Sequence, residues 1–308
     1  MLAETIWKSK LFYSFNWHLS IVILIILLFS PIGCLNAKDE LKPRNELFGV
    51  QLNNEAKSLL IDVERIFGKP VKEEWLDEAN LRYGAGLSKV DDDGTPILYV
   101  NRSYGPTIDV IVHELYHFIL RDRGYPVILW LFPNHMDNKA NQYAFDQLTQ
   151  QVYDPILHYI FYREIRSWSI HPGKTFEVLT KKSLETNSLT NIIASMDEKA
   201  IGLYYFKIRL EIRNSDLFQD VVELLTKKQK EAGLLCGKKL TQIVIDNNPN
   251  TPRSAVKTLV NCLNTFYKDS FHFKQHTWLS RQLGNHTQQI VPIEMKPLAI
   301  DLNVVGRR

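Results

Sequence analysis

The chain has 308 residues, 45% of them hydrophobic and 23% charged, which is enough to bury a sizeable core and too apolar for a disordered chain. Its formal charge of +3 is thinly spread and includes Arg307 and Arg308, which excludes the concentrated basic field expected of a nucleic-acid-binding protein. Three cysteines without CxxC spacing exclude a thiolate metal ribbon.

The first element is an apolar run. Lys8 and Lys10 precede Leu19–Leu35, broken only by Ser20, Ser30 and Pro31, and a small-residue exit follows at Ala37. A basic flank, a greasy centre and such an exit form an export signal. At 17 residues the run is at the short limit for a membrane span. Three fates are open: cleavage after Ala37, retention as an anchor, or lipidation of Cys34 within "PIGC". All three predict an exported or membrane-associated protein with residues 1–37 as signal or anchor. In an oxidising space Cys236 and Cys262 could bridge; two buried thiols are the alternative.

After a polar linker around Pro43, "NNEAKSLLIDVERIFGKP" predicts one amphipathic helix. Asn53 or Asn54 caps it, Leu59, Leu60, Val63 and Phe67 recur at helical spacing, and Gly68 with Pro70 ends it. "VKEEWL", "NLRYGAGLSKV" and "TPILYVN" have strand length, and "DDDG" turns between the last two, which predicts a small antiparallel sheet. Thr107 is placed to cap a helix running to about Arg123, before Gly124 and Pro126. A second helix is expected from about Asp137 to Val152, an interruption at Asp154–Pro155, and a further helix to about Trp168. Beyond His171–Gly173 the segments turn Lys-rich and helical. Residues 173–308 are therefore expected to form an all-helical unit after a domain of residues 38–172. His171 is expected to cap or lie in solvent, and His272, His276 and His286 to lie at the surface. Sequons stand at Asn101 and Asn285, the first too close to the presumed cleft to carry a glycan.

The chemistry centres on "IDVIVHELYHFILRD". Residues four apart share one helix face, so His113 and His117 can offer two imidazole nitrogens to one ion, and Glu114 projects beside the pair. There its carboxylate can take a proton from a water that the ion activates, which is the chemistry of amide hydrolysis. A chain of this composition would contain H-E-x-x-H by chance about once in seventy, so the pentapeptide alone is moderately specific. Its surroundings add to it: Ile111, Val112, Leu115, Phe118 and Ile119 bury the triad, and a metal removes the cost of burying it unpaired.

"ILYVN", "IVHELYHFIL" and "DNKANQYAFDQL" together resemble the zincin arrangement of strand, HExxH helix and second ligand helix. The chain is similar in outline to the gluzincins, among them the ImmA/IrrE-like zinc peptidases, over roughly residues 50 to 165. The resemblance implies a third ligand within E-x-x-A-[DN]. Asp137, Ala140 and Asn141 fall on that pattern, with Asp137 where Glu is usual. Asp is one methylene shorter, so the second helix must come closer for its oxygen to bind. Asn141 could hold a ring N–H. His135 is the chief rival ligand, and His158 and Glu164 stand further off.

The expectation is an α+β protein: a zincin-like domain with a small antiparallel sheet and an HExxH helix, followed by an all-helical C-terminal unit. One Zn2+ per chain is held by His113, His117 and Asp137, and Glu114 is the catalytic base. "ILYVN" is the strand expected along the cleft, and Tyr143, Tyr153, His158 and Tyr162 are candidate polarising donors. The partner is a peptide or protein substrate, with membrane association through the N-terminus. The alternative keeps the zinc without proteolysis, as a membrane-associated scaffold.

Overall fold

In the computed structural model, which describes residues 44–76, 84–133, 139–228 and 230–298, the chain opens on a two-residue ladder. Strands β1 (Glu46–Leu47) and β2 (Val50–Gln51) pair antiparallel. Helix α1 (Asn54–Phe67) is capped by Asn53, which accepts the Ala56 N–H at 2.9 Å. It buries Leu59, Leu60, Val63 and Phe67.

Three strands follow: β3 (Lys72–Leu76), β4 (Gly86–Val90) and β5 (Pro96–Asn101), in the order β3-β5-β4. The pair β3 and β5 is parallel, and β4 runs antiparallel to β5, so the sheet is mixed and not the antiparallel one expected. The cause lies in β5. Ile97, Leu98 and Val100 are all but inaccessible, so this strand takes the centre with both faces covered, and β4, with its exposed Lys89, takes an edge.

Helix α2 (Ile108–Asp122) carries the HELYH residues and buries Ile111, Val112, Leu115 and Phe118. Thr107 stands at its N-cap position, but its hydroxyl shares a hydrogen bond with that of Thr175, 3.2 Å away. After β6 (Val127–Leu131) comes α3 (Lys139–Glu164), one helix where an interruption at Pro155 was expected. Phe145, Leu148 and Val152 before the proline and Ile156, Ile160 and Phe161 after it enter the same core. That shared burial outweighs the lost backbone hydrogen bond.

The remaining helices are α4 (Lys174–Glu185), α5 (Ser188–Ser195), α6 (Glu198–Glu211), α7 (Ser215–Lys227), α8 (Glu231–Asn247) and α9 (Pro252–Phe266). The C-terminal region is not all-helical: β7 (Phe271–Gln275), β8 (Leu279–Leu283) and β9 (His286–Pro297) follow. Strand β9 pairs parallel with β6 and antiparallel with β7 and β8. Its Val291, Ile293 and Met295 are fully buried on one face, and Pro292 is buried between the first two. His286 is buried against Phe67 rather than at the surface, and His276 pairs with Glu294 at 2.8 Å.

The described residues on both sides of residue 172 belong to one compact unit. Helix α6 is apolar on two faces: Phe206 joins the main core with α1, α2 and α3, while Ile201, Tyr205 and Ile208 join a smaller cluster with α5, α7 and α8. It crosses α8 closely, because a Cβ on Gly237 would lie 2.6 Å from the Gly202 carbonyl. Cys236 and Cys262 are free thiols. Among the described residues no helix is long and apolar enough to cross a membrane.

Candidate metal centre

Three imidazoles converge between α2 and α3. His113 and His117 present their Nε2 atoms to each other at 3.3 Å. His158, one turn beyond Asp154 on α3, brings its ring centroid to 4.4 Å from His113 and 5.4 Å from His117. One ligand atom from each of the three lies within 4.8 Å of the others, so the group could hold a metal ion. Two nitrogens bound tetrahedrally at about 2.05 Å would stand about 3.3 Å apart, which fits the observed pair.

The far sides of two of the rings are held. His113 Nδ1 donates to the Pro172 carbonyl at 3.2 Å. His158 Nδ1 donates to Glu211 Oε1 at 2.8 Å, and the same oxygen accepts Lys207 Nζ at 2.7 Å. A ring nitrogen that donates backward leaves its partner nitrogen as a lone pair pointing forward. For His158 that atom, Nε2, is buried without a hydrogen-bond partner. Such an orphan costs on the order of 1–3 kcal/mol, and a cation removes the cost. The donor set therefore fits a divalent ion that takes imidazole nitrogen.

The charges agree with that fit. Burial, then the neighbouring imidazoles, pushes His113 and His117 well below the usual histidine range, which keeps them neutral and able to ligate. Burial would raise Glu211, but Lys207 and His158 outweigh it and hold the carboxyl at about 2. A buried anion thus stands permanently behind His158.

Glu114 lies beside the triad and is buried. Burial first and Asp154 second push it up to about 8, against the opposing pull of Arg121. It packs on the edge strand so closely that a Cβ on Gly86 would fall 2.8 Å from its Cγ and 3.0 Å from its Oε1. The strand beside the cleft is thus β4, not the "ILYVN" strand β5, whose central place in the sheet uses both its edges. The cleft has a volume of about 650 Å³ and is reached from β4, α2, α3, α4, α5 and α6.

The structure brings His113, His117 and Glu114 together as the spacing requires. Asp137 and His135 lie outside the described residues. The third imidazole beside the pair is His158. Glu164 stands elsewhere, accepting from Tyr116 and from Arg123. The ring-holding role given to Asn141 falls, for His113, to the Pro172 carbonyl. Tyr162 stands behind His113, its hydroxyl 3.3 Å from Nδ1, so it does not face the ligand side. The Tyr153 hydroxyl is buried without a hydrogen-bond partner, and Tyr143 is half exposed on a neighbouring pocket. Sequence reading did not find Glu211, Lys207 or Pro172. His158 did carry a signal, a lone histidine within the apolar "PILHYIFY", the same anomaly that marks HELYH.

Compared with protein-family models, curated proteins and solved structures, the chain matches none of them.

Proposed function

We propose that this chain is a zinc-dependent peptidase, exported or membrane-associated, in which His113, His117 and His158 hold one zinc ion and Glu114 is the general base. The observation that carries this reading is the buried, unpartnered Nε2 of His158 beside the paired nitrogens of His113 and His117. A zinc ion there would polarise a scissile carbonyl and lower the pKa of a water molecule. Three protein ligands leave a position open for that water, whereas a structural zinc site is closed by a fourth ligand.

Glu114 supplies the proton chemistry. It follows a ligand directly and packs against Gly86 of β4, and once ionised its carboxylate would take a proton from the water and return it to the leaving amine. The Pro172 carbonyl and Glu211 fix the His113 and His158 rings, so these need no reorganisation during the reaction. Export and membrane association rest on the apolar run Leu19–Leu35.

Zinc-loaded protein is expected to carry about one zinc per chain and to hydrolyse peptides. Glu114→Gln should keep the zinc and lose hydrolysis by about a hundredfold or more. Unaltered hydrolysis in that variant would remove the base. Zinc without hydrolysis in the wild-type chain would favour the scaffold alternative.

A further inference from the structure

The cleft has walls that the metal chemistry does not use. Phe176 and Leu179 of α4, Leu189 and Ile192 of α5, and Tyr204 of α6 line it beside the three imidazoles. Ile192 keeps 47% of its surface exposed, and Leu189 is buried. Lys207 also lines the cleft, but its charge is matched by Glu211 at 2.7 Å.

The edge strand offers a ligand little. Asn101 N–H donates to the Ala85 carbonyl and Asp91 N–H to the Thr95 carbonyl, both at 3.0 Å. With the antiparallel register, this turns the odd-numbered residues of β4 toward β5 and the backbone groups of Gly86 and Ser88 away from it. Arg121 already donates to the Ser88 carbonyl at 2.6 Å. Along the part of β4 that lines the cleft, Gly86, beside Glu114, is the residue left for an incoming strand to pair with. One residue's pair of hydrogen bonds contributes little net affinity in competition with water. Binding strength must then come from a side chain taken out of water.

We infer, on the basis of the peptidase reading above, that the substrate is an extended peptide carrying a large apolar side chain near the scissile bond. Its backbone pairs at Gly86, and the side chain seats against Phe176, Leu179, Leu189, Ile192 and Tyr204.

The test uses the full chain loaded with zinc and carrying Glu114→Gln, so that binding is read without turnover. The probes are blocked hexapeptides in which each central position in turn is Leu, Phe, Ala, Asp or Lys. At one position, Leu and Phe peptides are expected to bind about tenfold or more tighter than Asp and Lys peptides. Adding Ile192→Asp, or separately Leu179→Asp, should erase most of that preference. Equal binding across the set, absence of binding, or a preference that survives both variants overturns the inference. Wild-type cleavage of the same peptides separates the two readings. Cleavage without side-chain preference overturns the apolar seat alone, and preferential binding without cleavage overturns the peptidase reading alone.

Discussion

At the scale of single residues, the site depends on how each polar group is placed in a buried setting. Glu114 shows this most plainly. Its carboxyl is pushed to about 8 in the fold, against 4.5 for an ordinary glutamate. The protonated form is thus favoured by folding. This contribution is fully present below about pH 4.5 and lost as pH rises through about 8. The metal-free wild-type chain should therefore lose stability across that window, on the order of a few kcal/mol. Glu114→Gln has no charge to bury and should keep it. Thermal unfolding of both proteins without metal, at pH 5 and pH 9, checks the sign: the variant should gain on the wild type at pH 9. The spacing of His113, Glu114 and His117 was legible in the sequence because helical geometry is local. Glu211 was not, since nothing within its own segment distinguishes it from a helix-terminal acid until α6 is packed behind His158.

At the scale of elements, the close approach of α2 to β4 sets the position of Glu114, the proposed base. Gly86 is the point of contact, and an added methyl meets the Glu114 Cγ, a buried atom that cannot swing aside. Gly86→Ala should therefore leave the zinc in place and reduce peptide hydrolysis about tenfold or more, since a misplacement of 1 Å can cost about a hundredfold. Zinc content and kcat measured together distinguish this from unfolding. Helix existence was largely legible: Asn53, Gly68 and the apolar spacing between them fixed α1. Strand pairing was not. Apolar "ILYVN" reads equally as an edge or a centre, and only the competition among β3, β4 and β5 for burial puts it in the middle. Pro155 misled for a similar reason, because its local cost is outweighed by core contacts on both sides.

At the scale of the whole molecule, the proposed metal centre is assembled from distant parts of the chain. His158 needs Glu211 on α6, and β6, which follows the HELYH helix, pairs with β9 more than 150 residues later. A chain ending at Pro172 would lack Glu211 and β9, the strand that pairs with β6. Such a chain should neither fold cooperatively nor retain zinc, as circular dichroism and metal analysis would show. For the full chain, zinc should raise the unfolding free energy by about 2.7 kcal/mol at a hundredfold excess over Kd, reversed by a chelator. The three C-terminal strands escaped sequence reading because the alternation in "FHFKQ" spans only four residues, "LSRQL" has none, and β9 pairs with a strand that lies far back in the sequence.

The most direct test of the central claim is zinc stoichiometry in two single variants prepared side by side, His158→Ala and Asp137→Ala. A three-imidazole centre predicts loss of zinc in the first and about one zinc per chain in the second. Retention in His158→Ala together with loss in Asp137→Ala would contradict it.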